Sequence, residues 1–426
     1  MAKVKPEPLP MPDLTVPPPG LRRFPKSLDL SLTGRCNLKC RYCFYADEMT
    51  ALNDMPAARW HALFEELGGL GVQNVCLSGG EVFTRPDLFE LIDGVIANKM
   101  RYSILTNGTL ITEETLKEFE KGKRRLRLVS IQVSIDGSCA EIHDKSRPPK
   151  SFDRALRGLR LLKQANFPVA VRVTVNRANV NDLPNVARLL IEDVGLGGFS
   201  TNEADQMGSA RCYGDSIVLT NSERKQAMET LTRLNRQYNG RIGATAGPLA
   251  MASHFAEIEE ACAQGKPGVP GRGTLCSCGG VFNKLAILHD GTIVPCNMLP
   301  KLVMGVFGYH SLTEVWRTSP AINAVRYRRQ IPLLSLPDCK GCSYAGFCAG
   351  GCPGSVMAKF GRLNARDPLA CYRIFKGEEA EESDPQKRMK DEDGSQTREK
   401  RGNKPGTKNQ GLRTKDQEPR TRHGIV

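Results

Sequence analysis

TGRCNLKCRYCFYAD, residues 33–47, is the stretch that decides the fold of this chain. It places Cys36, Cys40 and Cys43 four and three residues apart, so the three thiols can converge on one metal cluster. A cubane iron–sulfur cluster takes cysteine thiolates and offers four irons. Three cysteines would therefore hold three irons and leave the fourth open to a small chelating molecule. The alternative is a structural zinc site that a remote residue completes.

Tyr42 lies directly before Cys43, and with this aromatic the spacing resembles the signature of the radical S-adenosylmethionine (SAM) enzymes. The resemblance implies that the amino and carboxylate groups of SAM chelate the open iron, with Tyr42 in the cofactor site. It also implies the activity. Reductive cleavage of SAM would give a 5′-deoxyadenosyl radical that abstracts hydrogen from unactivated carbon.

Length and composition limit where the protein works and what it binds. The chain of 426 residues is long enough for two or three domains, and it has no apolar run that could span a membrane. Its proline-rich N-terminus lacks a secretory signal, so its 15 cysteines predict metal binding in the reducing cytoplasm. The formal charge of +14 suggests an acidic partner, such as a redox protein or leader peptide. Because thiolate-bound clusters would lower that charge, nucleic acid is not the expected partner.

Strand and helix patterns alternate from residue 27 onward. Such units form right-handed βαβ crossovers and a parallel sheet, so we predict an α/β fold, a partial (β/α)6 TIM-like barrel. Active groups of such barrels lie at the C-terminal ends of the strands. Arg172 and Asn176, on the fifth predicted strand, either reach a ligand or line the barrel. The predicted strands are 27–33, 74–80, 101–108, 128–137, 169–176 and 197–205, and the predicted helices are 56–71, 86–99, 112–122, 152–166, 183–194 and 221–238.

Special sequences follow the second and third predicted strands. Gly79, Gly80 and Glu81 resemble the GGE element of the radical SAM family, although Val82 stands where the family usually has proline. The resemblance implies that this element holds the SAM amine, and glycines suit a backbone edge that approaches a ligand closely. An ordinary glycine turn is the alternative. Asn107 ends the third strand, and we expect it in the same cofactor site.

The end of the fourth predicted strand resembles the SLDG…HD…R element of the peptide-modifying branch of the family. The resemblance implies that Ser134 and Arg147 bind the SAM carboxylate and that Asp136 helps to position the ribose. A planar guanidinium suits a carboxylate because it can bind both oxygens. His143 and Asp144 either belong to this element or form a capping pair in a loop.

Cysteines return after residue 262, where the alternation of strands and helices stops. The sequence LAILHDGTIVPC, residues 285–296, predicts two short strands joined by an Asp-Gly turn, and residues 311–328 read as helical. The spacing is Cys-x12-Gly-x4-Cys, then Cys-x2-Cys-x5-Cys-x3-Cys, then a single cysteine. A pair of structural zinc sites is the alternative here. The cysteines of this field are Cys276, Cys278, Cys296, Cys339, Cys342, Cys348, Cys352 and Cys371.

This second field resembles the SPASM domain, a small cysteine-rich α+β domain. The resemblance implies two auxiliary 4Fe–4S clusters, and hence three clusters in total. The family usually has a longer gap before its second cysteine than the single residue between 276 and 278, so the fourth ligand of the inner cluster stays open: Cys276, Cys262, or substrate. The resemblance assigns Cys278, Cys296 and Cys352 to the inner cluster, and Cys339, Cys342, Cys348 and Cys371 to the outer one.

Asn297 marks a departure from the sulfatase-maturing members of the family, in which an aspartate follows this cysteine and serves as general base. An asparagine cannot accept that proton, so sulfatase maturation by this mechanism is disfavoured. No catalytic residue is assigned. The predicted organisation is a disordered proline-rich arm (1–26), the barrel (27–240), the SPASM domain (241–375) and a disordered charged tail (376–426).

The arrangement resembles the peptide maturases, so the expected substrate is a ribosomally made precursor peptide that receives a crosslink, a thioether or a backbone modification. A flavodoxin or ferredoxin would supply the electron. Only about 26 residues precede the barrel, too few for a fused recognition domain, so a separate peptide-recognition protein is expected. The second hypothesis is an enzyme that acts on a small molecule such as a tetrapyrrole or quinone-type cofactor precursor. The third is a non-catalytic metal-binding scaffold, although a scaffold has no need of Glu81, Ser134 and Arg147.

Overall fold

The computed structural model describes residues 13–50, 53–276 and 278–378. It is an α/β protein built on one large sheet, as the sequence predicts. The strands are β1 (Ser27–Thr33), β2 (Asn74–Gly79), β3 (Arg101–Thr106), β4 (Leu128–Ser134), β5 (Val169–Val175), β6 (Phe199–Glu203), β7 (Ile242–Ala244), β8 (Lys284–Ile287), β9 (Thr292–Val294) and β10 (Gly305–Val306).

The sheet has the order β10-β9-β8-β1-β2-β3-β4-β5-β6-β7. Strands β1 to β7 pair with their sequence neighbours in parallel, which confirms the barrel fold class. The predicted hairpin is also present, since β8 and β9 pair antiparallel. Sequence patterns did not predict that β8 pairs in parallel with β1. The cysteine-rich region thereby joins the barrel sheet.

Helices connect the strands and cover one face of the sheet. Thr220 begins one of them with a capping box: its side chain accepts a hydrogen bond from the backbone N–H of Glu223, whose carboxylate accepts in return from Thr220 N. The helices are α1 (Ala57–Gly69), α2 (Leu88–Ala97), α3 (Glu113–Phe119), α4 (Arg124–Arg127), α5 (Ala140–Ser146), α6 (Ser151–Gln164), α7 (Leu183–Arg188), α8 (Ala210–Tyr213), α9 (Asn221–Gln237), α10 (Pro248–Ala263), α11 (Leu312–Thr318), α12 (Pro320–Tyr327), α13 (Pro353–Phe360) and α14 (Tyr372–Lys376).

The main core lies between the sheet and these helices. Along β5 every second side chain, Val171, Val173 and Val175, is fully buried in one cluster with leucines of α6. This alternation follows from the pleat, which turns successive side chains to opposite faces. Arg172 and the corresponding residues of the other strands therefore lie on the opposite face, which lines the lumen of the barrel.

Residues 13–26, predicted as part of a disordered arm, make defined contacts with α11 and α12. The indole N–H of Trp316 donates to Arg22 O at 3.0 Å, and the amide of Asn323 donates to Leu14 O at 2.8 Å. The ring of Phe24 packs edge-on against Trp316. Buried indole and amide groups need hydrogen-bond partners, and here the carbonyls of this segment supply them.

The remainder of the predicted arm, residues 1–12, and most of the predicted tail, residues 379–426, lie outside the described residues. Strand β7 begins just after the predicted domain boundary at residue 240 and pairs with β6, through Phe199 and Ile242. Among the helices in the described ranges, none is long and apolar enough to cross a membrane.

Candidate active site

The cysteine loop starts at the C-terminal end of β1, where Asp54 fixes its first turn. One carboxylate oxygen of Asp54 accepts from the Thr33 hydroxyl at 2.6 Å, and the other accepts from Gly34 N at 2.8 Å. Sequence analysis missed Asp54, because nothing in its local pattern ties it to a loop 20 residues earlier. Its role is to hold the backbone that leads into Cys36.

Gly79 and Gly80 let the end of β2 pass directly against this loop. At Gly79, where φ is +132°, a Cβ would lie 2.4 Å from Thr33 O, and at Gly80 a Cβ would lie 2.2 Å from Arg35 O. Gly80 N donates to Thr33 O and Glu81 N to Arg35 O, both at 2.8 Å. The two glycines therefore allow a close approach between two backbones, and any side chain there would displace the cysteine loop.

Glu81 is fully buried and turns toward the end of β3. Its carboxylate accepts hydrogen bonds from the Thr106 hydroxyl at 2.8 Å, from Asn107 N at 2.7 Å and from Phe83 N at 3.2 Å. Burial raises its pKa, and these hydrogen bonds oppose that rise. All three contacts lie within the protein, so the geometry gives Glu81 a positioning role between two strand ends.

Asn107 connects β3 to the cysteine loop. Its amide nitrogen donates to Asn37 Oδ1 at 2.9 Å, and its amide oxygen accepts from the Thr109 hydroxyl at 2.7 Å. Asn37 in turn donates to the same hydroxyl at 2.9 Å. Because Asn37 follows Cys36, this small network orients the first cysteine of the loop.

The buried Asp136 and Arg147 form one group with the half-buried Tyr42 beside Cys40. Arg147 Nε lies 2.5 Å from Asp136 Oδ2, the Tyr42 hydroxyl donates to the same carboxylate, and Thr174 N donates to its other oxygen at 2.8 Å. Burial opposes ionisation of Asp136, but the Arg147 guanidinium, His143 and the hydrogen bonds from Tyr42 and Thr174 together outweigh it and hold the pKa of Asp136 below its ordinary value. The guanidinium also lies over the Tyr42 ring, and its Nη1 lies 4.0 Å from Cys40 Sγ.

Neighbouring residues complete this group. His143 Nδ1 accepts from Asp136 N at 3.1 Å, and burial together with Arg147 lowers the pKa of His143 to about 4, so the imidazole is neutral. Asp144 instead accepts from Lys150 N at 2.6 Å, which makes it a cap of the following loop. Ser134 ends β4 in a half-buried position on the lumen face.

The three thiols of the loop suit an iron–sulfur cluster. Burial raises the pKa of Cys36 to about 11 and that of Cys43 to about 12. The Glu81 carboxylate and then the Cys40 thiol add to the rise at Cys36, and the Cys40 thiol adds to it at Cys43. Leu38 N donates to Cys36 Sγ at 3.4 Å, which favours the thiolate. Within the described ranges, no three His, Cys, Asp or Glu side chains converge closely enough to hold one metal ion. A cubane binds one thiolate per iron and does not require such convergence.

Four cysteines of the second field line one cavity: Cys339, Cys342, Cys348 and Cys371. Burial raises the pKa of Cys339 to about 12, with the nearby Arg366 opposing that rise. Arg366 Nη1 lies 3.0 Å from Cys371 Sγ, and Gly350 N donates to Cys348 Sγ at 3.4 Å. The structure thus brings together the predicted ligands of the outer cluster. Sequence analysis did not identify Arg366.

The predicted inner ligands also neighbour one another. Burial raises the pKa of Cys296 to about 12, and the thiols of Cys352 and Cys278 add to that rise. Burial lowers the pKa of Arg328, and the thiols of Cys352, Cys278 and Cys276 oppose that change. Cys276 therefore lies in this group, with its thiol donating to Gly271 O at 3.0 Å.

Cys262, the other candidate for the fourth inner ligand, lies elsewhere. It is exposed on α10. The pKa of Tyr344 is raised mainly by a hydrogen bond to Glu378, and the thiols of Cys262 and Cys342 both add to that rise. Cys262 is therefore near the outer group. Of the two cysteines left open by the sequence, the geometry favours Cys276.

Asp367 joins the two cysteine groups and was also missed by sequence analysis. It accepts from Cys352 N and from Leu369 N, each at 3.1 Å, and its own N–H donates to Gly350 O at 2.9 Å. Burial raises its pKa to about 7, and the nearby Asp205 carboxylate adds to the effect. Its partners are backbone groups, which a single sequence does not reveal.

Comparison with known proteins agrees with this arrangement. The family model of the radical SAM superfamily matches residues 30–190, and that of the SPASM iron–sulfur cluster-binding domain matches residues 276–343. An AdoMet-dependent heme synthase of Methanosarcina barkeri is 26% identical over 368 residues, which cover 83% of this chain and 98% of that protein. A PqqA peptide cyclase of Ruegeria pomeroyi is 26% identical over 370 residues, which cover 85% of this chain and 89% of that protein.

Among solved structures, Streptococcus suis SuiB bound to its precursor peptide SuiA has a similar fold. The TM-score is 0.63 at 18% identity, over 82% of this chain and 76% of SuiB. This likeness concerns the fold alone. It extends across both the barrel and the cysteine-rich region.

Proposed function

Because the chain belongs to the radical SAM superfamily and carries a SPASM domain, we propose that it is a maturase of a ribosomally made precursor peptide. Hydrogen abstraction from the peptide would lead to a crosslink, a thioether or a backbone modification. Similar proteins include a PqqA peptide cyclase. The observation that carries the peptide assignment is the polarity of the barrel lumen.

The lumen face of β3 to β6 is lined mainly by small polar side chains. Serines at 103, 130, 134 and 200 are half-buried on this face, together with Gln132 and Asn202. Hydroxyl and amide groups can satisfy the N–H and C=O groups of an extended peptide that enters the lumen. A flat tetrapyrrole needs broad apolar contact, and on this face of β3 to β5 only Leu105 and Ala170 are apolar.

The cysteines would hold the cofactors in three groups. SAM and the first cluster, when bound, supply one-electron cleavage and radical hydrogen abstraction. The chain's own residues orient and enclose them. We propose that Tyr42, Ser134, Asp136 and Arg147 face SAM, and that Gly79, Gly80, Glu81 and Asn107 fix the loop around it. The proposed cluster ligands are Cys36, Cys40 and Cys43 for the first cluster, Cys276, Cys278, Cys296 and Cys352 for the inner one, and Cys339, Cys342, Cys348 and Cys371 for the outer one.

Arg147 is pre-organised for a carboxylate. Its Nε is fixed by the fully buried Asp136, while Nη1 lies 4.0 Å from Cys40 Sγ. A guanidinium already held by one carboxylate loses little rotational freedom when it binds another. Burial of Arg147 and Asp136 limits the access of water, which strengthens the attraction between Arg147 and an anion.

A second candidate function is the modification of a carboxylate-bearing tetrapyrrole. The heme synthase of M. barkeri favours it, since the alignment covers 98% of that protein. The polar lumen argues against it.

A sulfatase-maturing reaction is also disfavoured. Asn297 would stand at the position of the general base, where an amide cannot accept the proton.

An anaerobic assay tests the proposal. The protein is reconstituted, its iron and sulfide are counted, and it is incubated with SAM, dithionite and either short peptides encoded by neighbouring reading frames or iron–coproporphyrin III. We expect about twelve irons per chain, formation of 5′-deoxyadenosine and a mass change in the peptide. Cys40→Ala should abolish both products, whereas Cys212→Ala, at an exposed cysteine, should leave them intact. Turnover of iron–coproporphyrin III without any change in the peptide would overturn the peptide assignment.

A further inference from the structure

Arg172 is a cation inside the barrel that the proposed SAM site does not use. On β5 it lies between the fully buried Val171 and Val173, which face the helices, so its side chain leaves the sheet on the lumen face. The ladder pairs it with Ser134 on one side and Ser200 on the other. Arg172 therefore lies at the level of the strand ends that carry the cofactor site, one strand farther from the cysteine loop.

The partners of Arg172 within the described residues do not match its charge. Its Nη2 donates to Gln132 Oε1 at 3.3 Å, and its Nε is buried without a hydrogen-bond partner. Burial lowers its pKa, and no carboxylate offsets that effect. The side chain is half-buried, its Nε is shielded from solvent, and its one hydrogen bond goes to a neutral amide, so the charge lacks a compensating carboxylate.

Two buried arginines of the chain differ in this respect. Arg224 and Glu203 form an ion pair at 2.8 Å with both side chains 6% exposed. Arg85 Nη2 donates to Asp87 at 2.6 Å, and its Nη1 donates to Leu32 O at 2.8 Å. These two have their partners within the fold. Arg172 has an open donor directed into a lumen.

A second open group lies beside it. Asn202, on the same face of the neighbouring strand, pairs with Thr174, two residues beyond Arg172. Its Oδ1 is buried and has no hydrogen-bond partner among the described residues. The lumen thus presents a free guanidinium donor and a free amide acceptor on adjacent strands.

We propose that Arg172 binds a carboxylate of the substrate inside the barrel, with Asn202 accepting a hydrogen bond from an N–H group of the same molecule. The inference rests on the proposed function and names the substrate class, an acidic one. Both an acidic residue of a peptide and the propionates of a tetrapyrrole carry such a carboxylate. The backbone of a peptide also offers an N–H group that could donate to Asn202 Oδ1.

The first test measures thermal unfolding of the reconstituted holoenzyme without substrate. Removal of a half-buried charge that has no carboxylate partner should not destabilise the protein, so Arg172→Gln should unfold at the wild-type temperature or above it. The exposed Arg160→Gln is the matched control. A clear fall in the unfolding temperature of Arg172→Gln, restored by Arg172→Lys, would show a structural role and overturn the proposal.

The second test measures binding of four probes to the SAM-loaded holoenzyme: a labelled Gly/Ser decapeptide with a central glutamate, its glutamine analogue, coproporphyrin III and its tetramethyl ester. We expect one carboxylate probe to bind, and Arg172→Gln to weaken it about tenfold or more, as for a charge-assisted contact. The binding of the two neutral analogues should be unchanged by Arg172→Gln and by Asn202→Ala. Asn202→Ala should weaken the peptide probe and not the porphyrin.

The outcomes separate this proposal from the proposed function. Arg172-dependent binding of the glutamate peptide supports both. Arg172-dependent binding of coproporphyrin III alone supports the carboxylate site and overturns the peptide assignment. Binding of neither carboxylate probe, equal binding by wild type and Arg172→Gln, or a tenfold loss of SAM affinity in Arg172→Gln would each overturn the carboxylate site.

Discussion

The two cysteine regions of this protein are held in different ways. Around the barrel loop, the carboxylates of Asp54, Glu81 and Asp136 each accept two or more hydrogen bonds that tie the loop to strand ends. In the second field, the cysteines lie on or beside single turns such as Pro337–Cys339, Ala345–Phe347 and Pro368–Ala370. The sheet pre-organises the first site, whereas the second depends more on what its thiols bind.

Removal of iron should expose this difference most strongly. With a chelator under reducing conditions, we expect hydrogen exchange to rise most in residues 337–371, because short turns without their metal retain few buried contacts. Strands β1 to β6 should keep most of their protection, since ladder hydrogen bonds hold them. Exchange–mass spectrometry of the holo and apo forms measures both regions in one sample. Equal loss in both regions would contradict the comparison.

Asp136→Asn tests the hydrogen-bond network of the barrel site. The substitution leaves the fully buried Arg147 without its counter-charge, and breaking such a pair costs about 3–5 kcal/mol. We expect that loss in the free energy of unfolding, together with weaker SAM binding, because the guanidinium loses its fixed orientation. Denaturant unfolding and equilibrium dialysis measure the two effects.

The exposed Asp153→Asn, on α6, is the matched control for this change. Asp367→Asn provides the corresponding change in the second field. A fall in stability for Asp136→Asn without any change in SAM affinity would place Arg147 outside the cofactor site.

The smallest expected effect concerns acid. Since the pKa of His143 falls from 6.5 to about 4 on folding, stability is complete above pH 6.5 and is lost as the pH falls toward 4. The full loss is about 3 kcal/mol. His143→Gln should flatten this part of the profile, and the exposed His310→Gln should not. The unfolding free energies of the wild type and the two variants are measured between pH 4 and pH 8. An identical pH dependence for the wild type and His143→Gln would contradict a buried neutral imidazole.

Local pattern was enough to predict most of the barrel. Alternation of apolar residues located β1 to β6, and the Asp-Gly turn located the hairpin of β8 and β9. The resemblance of the second cysteine field to the SPASM domain predicted which thiols would neighbour one another. The orientation of the Glu81 side chain could not be predicted, since its hydrogen-bond partners Thr106 and Asn107 lie at the end of another strand.

Contacts between distant segments were the ones missed. Asp54 binds a hydroxyl and a backbone N–H, Arg366 lies against a thiol, and Asp367 binds backbone groups; such partners carry no signature of their own in one sequence. Strand β7 is three residues long, too short for a periodic pattern to identify. The parallel pairing of β8 with β1 joins residues more than 250 positions apart in the sequence.

That pairing has a mechanical consequence. Strand β1 leads directly into the first cysteine loop, and β8 leads through the hairpin to Cys296, while the ladder from Ser27–Lys284 to Leu30–Ile287 joins the two strands. The two cysteine regions are thus connected to the same pair of hydrogen-bonded strands. Any movement that changed the spacing between them would have to break the hydrogen bonds of this parallel ladder. The distance between the two metal sites is therefore fixed by the sheet and does not vary through a hinge.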